Sequence, residues 1–214
     1  MIEMPLILFL LLFIMEYLLG SLMFSYWLAR GRGKDLKEIR DGNPGAANLW
    51  RVAGWRYGFA GLFLDYIKGF IPLVFFVFSG RFTGLELALL AIAPVLGHAF
   101  SPFLRFSGGK AIAVTFGVWS AMTKGVVPSL MGASFILYSV QRSSRQEGPT
   151  SPADDTVRLF SGMFAALFYL IWVGDLNLLL LWVLNAAILS YRHRKELVVI
   201  LKGRKKNGGV SYEK

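Results

Sequence analysis

The chain contains no cysteine among its 214 residues. Disulfides and thiolate-bound metals are therefore excluded, and cysteine usage marks no redox compartment. Histidine is nearly as scarce, with only His98 and His193, too few to group at the spacing of a catalytic zinc site. A GxSxG nucleophile elbow is missing. So is the HxxxxD arrangement of soluble-type glycerolipid acyltransferases, because Phe103 and Val198 stand five residues after the two histidines. Charge is thin at 17% and unbalanced, with 23 Lys and Arg against 13 Asp and Glu. What fills the chain is apolar: 55% hydrophobic residues and a mean hydropathy of +0.54, far from the soluble average. Apolar stretches recur throughout and leave no separate soluble domain. The predicted fold class is all-α integral membrane, one polytopic domain over residues 1–206 with a disordered tail at 207–214.

A membrane span needs roughly 20 apolar residues. Residues 5–28, 57–79 and 85–104 qualify, the last with Pro94 as a kink. The first stretch reads as a retained span rather than a signal peptide, since Glu3 precedes it and no basic residue does. Residues 111–140 form a thirty-residue apolar run interrupted at Lys124-Gly125, and 157–173 and 176–191 are split by Gly174-Asp175. Charge parity resolves the count. Residues 30–56 hold seven basic residues against three acids, and the tail 192–214 holds eight basic residues against two acids. Both belong in the cytoplasm by the positive-inside rule. That parity requires two crossings from 111–140, hence about seven transmembrane helices, an external N-terminus, a cytoplasmic C-terminus and Lys124 outside. The net charge of +10 is then a topology signal and a contact with anionic lipid; no nucleic-acid partner is expected.

Four polar clusters interrupt the apolar pattern. Gly20, Ser21 and Ser25 lie near the cytoplasmic end of the first span, where small residues permit close helix packing. Glu16, one turn earlier, must face the protein interior. Residues 41–51 combine Gly42, Asn43, Pro44 and Gly45 with Asn48 and Arg51, a tight turn beside a guanidinium that can fork onto phosphate. In residues 97–110, Gly108, Gly109 and Lys110 precede an apolar helix, with His98 and Arg105 close by. That is the make-up of an anion seat with outward N–H groups, although it lacks the spacing of a P-loop. Arg192, His193, Arg194, Lys195 and Glu196 close the last span. Within the second span, Asp65 and Lys68 stand three apart and are expected to form a structural ion pair.

Taken together, these clusters resemble the bacterial acyl-phosphate:glycerol-3-phosphate acyltransferase family (PlsY). The matching residues are Gly20, Ser21 and Ser25; Gly42, Asn43, Gly45, Ala46, Asn48 and Arg51; Asp65, Lys68 and Gly69; Gly97, His98, Phe100, Phe103, Phe106, Gly108, Gly109, Lys110 and Ala113; and Arg192, His193 and Gly203. The resemblance runs from Gly20 to about Gly203 and implies a seven-span membrane fold. The chain departs from the family at Arg40-Asp41, where the family has Gly-Ser, and at Ala47, Ser101 and Ser107. In the third motif, Glu196 replaces asparagine and Val199 replaces arginine.

The activity this implies is acyl transfer from acyl-phosphate to glycerol 3-phosphate, giving lysophosphatidic acid, without cofactor or metal. Acyl-phosphate and glycerol 3-phosphate are the expected partners, with membrane lipids around the chain. The catalytic candidates are His193, Ser21 and Glu196, His193 orienting or deprotonating the attacking hydroxyl unless the substrate phosphate is the base. The substrate-binding candidates are Asn43, Gly45, Asn48, Arg51, His98, Gly108, Gly109 and Lys110. Glu196 has three readings: turned toward Arg192 or Arg194 in a solvated tail, which is favoured; a base with His193; or a mark of lost activity. A degenerate, non-catalytic member that binds a phospholipid precursor or assists another membrane enzyme is the alternative.

Overall fold

The computed structural model describes residues 5–148 and 150–202, so the expected tail at 207–214 lies outside the described residues. Each apolar stretch is helical, as lipid demands of a backbone that must satisfy its own polar groups. The first stretch is two helices, α1 (Leu6–Ser21) and α2 (Phe24–Arg30), broken at Leu22-Met23. The break frees carbonyls inside the protein, and side chains answer them. Buried Lys68 donates to the Leu22 carbonyl at 2.5 Å, and Ser101 Oγ donates to the Ser21 carbonyl at 2.7 Å.

A short α3 (Ala46–Ala53) leads through Gly54 into α4 (Trp55–Ser79), followed by α5 (Gly84–Ala99). The run at 111–140 is α6 (Ile112–Thr123) and α7 (Val126–Ser144), turned at Lys124-Gly125, where both residues have positive φ and Lys124 is exposed. Then come α8 (Pro152–Val173), α9 (Leu176–Arg192) and α10 (Arg194–Leu201). Ser151 and Asp154 form a capping box on α8, and Asp175 caps α9 after the left-handed Gly174, which is why the last apolar region splits there. Among the described residues, four stretches are long and apolar enough to cross a membrane: Leu6–Arg30, Trp55–Ser79, Gly84–Leu104 and Pro152–Val173. Ile112–Thr123 and Leu176–Arg192 are shorter apolar helices.

Small residues set the helix seams. A Cβ on Gly20 would overlap the Pro94 backbone, and one on Gly97 would overlap the Tyr17 carbonyl, so α1 and α5 touch backbone to backbone. Gly69 against Val114 and Gly117 against Tyr66 do the same for α4 and α6. Polar relays cross the interior: Trp119 Nε1 donates to Asn185 Oδ1 at 2.9 Å, and Asn185 Nδ2 donates to Thr115 Oγ1 at 3.1 Å. Lys68 meets Asp65 at 2.9 Å, with Ser25 Oγ on the other carboxylate oxygen at 2.8 Å. This is the ion pair the sequence predicts; removing one partner of such a buried pair typically costs about 3–5 kcal/mol. Glu16 is fully buried in α1.

Candidate active site

The loop before α3 is folded around Asn48. Its amide nitrogen reaches the Ile39 carbonyl at 3.0 Å, the Asn43 carbonyl at 3.0 Å and Asp41 Oδ1 at 2.9 Å. The Asn43 amide also donates to Asp41 Oδ1, at 3.3 Å. Gly42 supplies the positive φ this turn needs. The result presents Asp41 Oδ2 and Asn43 Oδ1 on one side, toward the loop that precedes α6.

That second loop is fixed from beneath. Arg192, the last residue of α9, donates Nε to the Gly109 carbonyl at 3.0 Å and Nη2 to the Gly108 carbonyl. The Gly109 amide donates to the His98 carbonyl at 3.0 Å, and the Lys110 amide to Asn43 Oδ1 at 3.1 Å. A Cβ on Gly108 would overlap the His98 carbonyl, and one on Gly109 would overlap the His98 ring. Both glycines are therefore required by close approach. For Gly109 and Lys110 the structure corrects the expectation of outward N–H groups: both amides are already bonded within the protein. The cationic element left facing the site is the Lys110 side chain, beside the first turn of α6.

Lys110 Nζ lies 2.7 Å from Asp41 Oδ2 and 2.8 Å from Glu196 Oε1. All three side chains are 12% exposed or less. Burial alone would raise the Asp41 pKa, but the Lys110 charge and the hydrogen bonds from Lys110, Asn48 and the Asn43 amide outweigh it and hold the carboxyl below its ordinary value. The favoured expectation for Glu196 is corrected here. It is buried in the first turn of α10 and turned to Lys110, not to Arg192 or Arg194 in solvent. An acid at that position also suits the positive end of the helix.

His193 joins α9 to α10 and is fully buried. Its Nδ1 lies 2.9 Å from Thr156 Oγ1, whose hydroxyl is also 2.9 Å from the Pro152 carbonyl, and Phe160 meets the ring edge to face. Burial, then the neighbouring Lys110 charge, pushes its pKa down to about 3. The ring is thus neutral near pH 7 and stands behind Lys110.

Two cavities meet at this lysine. The inner, of about 190 Å³, is lined by Asp41, Asn43, Gly45, Asn48, Asp65, His98, Lys110 and residues 111–113 of the α6 start, among others. The outer, of about 320 Å³, is lined by Lys37, Asp41, Asn43, Ser107, Gly108, Lys110, Arg192, Arg194, Lys195 and Glu196, among others. Asp41, Asn43 and Lys110 form their common wall. The inner cavity shares Leu62, Ile112, Ala113 and Phe135 with a wholly apolar cavity of about 480 Å³ that also touches Phe59, Phe63, Tyr66, Phe116 and Gly132.

A basic cavity, a central lysine and an apolar groove suit a reaction between a polar anion and an acyl lipid. Residues 10–203 match the family described as Glycerol-3-phosphate acyltransferase. The chain belongs to the glycerol-3-phosphate acyltransferase family. It is 45% identical to Glycerol-3-phosphate acyltransferase 1 of Thermotoga maritima, over 88% of this chain and 95% of the relative. It is 33% identical to the glycerol-3-phosphate acyltransferase of Aquifex aeolicus, over 90% and 95%. Among solved structures it resembles the crystal structure of PlsY, an integral membrane glycerol 3-phosphate acyltransferase, in its glycerol 3-phosphate form. The TM-score is 0.77 at 32% identity, over 94% of this chain and 96% of that one. The lysophosphatidic acid form matches with a TM-score of 0.75.

Within this acyltransferase fold the expected site residues separate into groups. Asn43, Gly45, Asn48, His98 and Lys110 line the inner cavity, and Gly108 and Glu196 line the outer. Gly109 and His193 lie behind the wall. Ser21 lines neither cavity: its hydroxyl donates to the Tyr17 carbonyl at 2.6 Å in the seam between α1 and α5. Arg51 is exposed on α3, donating to the Ala47 carbonyl at 3.0 Å, in a neighbouring depression that includes Asp155 and Arg158. Sequence reasoning missed three partners: Asp41 on Lys110, Arg192 under the glycines, and Thr156 beside His193. The only signal for Asp41 was an acid in a turn otherwise built to receive an anion.

Proposed function

We propose that the chain moves a fatty acyl group from acyl-phosphate to glycerol 3-phosphate, giving lysophosphatidic acid and inorganic phosphate, at the cytoplasmic face of the cell membrane. The observation that carries this reading is Lys110 in the wall between a basic cavity and one continuous with an apolar groove. The acyl tail lies in the groove, with its phosphoryl group in the inner cavity beside Lys110 and the first turn of α6. Glycerol 3-phosphate enters through the outer cavity, past Lys37, Arg192, Arg194 and Lys195. In this arrangement the chain is one membrane domain crossing seven times, with its basic loops in the cytoplasm.

The chemistry asks little of a nucleophile. The glycerol hydroxyl oxygen attacks the acyl carbon, the bond from that carbon to the phosphoryl oxygen breaks, and the proton leaves on the departing phosphate. Juxtaposing the two reactants supplies much of the rate, and Lys110 neutralises phosphate charge in a water-poor site. The His193 ring, buried and neutral behind Lys110, positions that lysine; Asn43, Asn48 and Asp41 hold it from the other side. Ser21 and Gly45 shape the scaffold, and His98 supports the Gly108-Gly109 turn. No cofactor enters this scheme. Purified protein supplied with a long-chain acyl-phosphate and labelled glycerol 3-phosphate should form labelled lysophosphatidic acid. Formation of product from an acyl thioester but not from acyl-phosphate would refute the donor assignment.

A further inference from the structure

The two carboxylates on Lys110 are held unequally. Asp41 accepts from Lys110 through Oδ2, while its Oδ1 accepts from Asn48 and from the Asn43 amide, so three groups fasten it. Glu196 reaches Lys110 through Oε1, and its buried Oε2 has no hydrogen-bond partner among the described residues. One ammonium thus carries two negative charges at the place where a phosphate must bind. A phosphoryl group approaching from the outer cavity, whose other walls carry Lys37, Arg192, Arg194 and Lys195, meets a site already occupied by protein anions.

We infer that Glu196 is a built-in occupant of the phosphate position on Lys110, displaced by a substrate phosphoryl group, whereas Asp41 is the lysine's permanent anchor. This rests on the reading of Lys110 as a phosphate ligand. Glu196 then sets the affinity of the site, keeping Lys110 paired while the site is empty and opposing phosphate until exchange occurs. A buried carboxylate oxygen without a partner is expensive, which favours the exchange: Glu196 regains water as it leaves.

The test is binding of inorganic phosphate to the full-length purified chain by calorimetry, alongside acyl-transfer kinetics. Glu196→Gln keeps the shape and removes the charge, and should tighten phosphate binding about tenfold, the scale of replacing a charged hydrogen bond by a neutral one. In turnover, KM should fall for whichever substrate places its phosphoryl group on Lys110. Separate titrations of glycerol 3-phosphate and acyl-phosphate identify which. Asp41→Asn, which also removes a negative charge, should instead weaken binding: its carbonyl oxygen can still accept from Asn48 and the Asn43 amide, but Lys110 loses its anchoring carboxylate and faces an amide NH2. Equal tightening in both variants would reduce the effect to net charge and overturn the division of roles. Unchanged or weaker binding in Glu196→Gln would overturn the inference itself. Should Glu196→Gln fail to fold, Glu196→Ala repeats the comparison. Tighter phosphate binding without acyl transfer in any protein would uphold the inference while removing the proposed function.

Discussion

A histidine in a basic cluster at the end of an apolar helix invites the role of general base, but burial decides its chemistry. With a pKa near 3 in the folded chain and about 6.5 when unfolded, His193 stays neutral in the fold between those values, while the unfolded chain takes up a proton. Folding stability therefore rises with pH across this window and is lost as pH falls below about 6.5, at up to ~1.4 kcal/mol per pH unit. Thermal melts between pH 7 and 5 should show this loss, and His193→Gln should flatten it. The pH–rate profile should lack a limb from His193 between pH 6 and 8; such a limb, abolished by His193→Gln, would restore the role of general base. Arg192 acts through geometry. Its guanidinium spans the Gly108 and Gly109 carbonyls, a fork lysine cannot reproduce. Arg192→Lys should lower kcat/KM about tenfold while leaving the charge of the outer cavity unchanged; an unaltered kcat/KM would show that the loop holds its shape without it.

At the scale of elements, the hairpin of α6 and α7 tests the topology. In the proposed seven-span arrangement, charge parity puts the turn at Lys124 outside the cell. Because the native chain has no cysteine, Lys124→Cys gives a single labelling site. It should react with an impermeant reagent from outside in intact cells, and labelling only after cytoplasmic access would break the seven-span arrangement. Helix positions were legible because apolar length and Gly or Asp punctuation act locally: Gly174-Asp175 and Lys124-Gly125 break the chain where their composition says. The glycine and asparagine turns were legible as turns for the same reason. The break at Leu22-Met23 was not, since two apolar residues carry no turn signal and the Lys68 that satisfies it lies 46 residues on. The Glu196–Lys110 contact was equally hidden. A glutamate among arginines has near partners on paper, and only the tertiary path of α10 brings it to a lysine 86 positions away.

At the scale of the whole molecule, an apolar groove opens into the inner cavity, which meets the basic outer cavity at a wall carrying Asp41, Asn43 and Lys110. Gly132 on α7 lines the groove, and a Cβ placed there meets nothing within 4 Å. Gly132→Leu should therefore fill space without strain and gain helix propensity of about 0.8–1 kcal/mol, while shifting preference toward shorter acyl-phosphates. A set of donors of graded chain length checks this, and an unchanged preference would place the tail elsewhere. The central claim is that Lys110 serves the phosphate chemistry at the common wall. Its most direct test is kcat/KM for lysophosphatidic acid formation by Lys110→Met, with helical content and melting compared with the parent. The account predicts a loss of about 10²–10³, the scale of removing one preorganised electrostatic group, in a folded protein. A folded Lys110→Met variant within about threefold of the parent, a difference below ~1 kcal/mol, would contradict it.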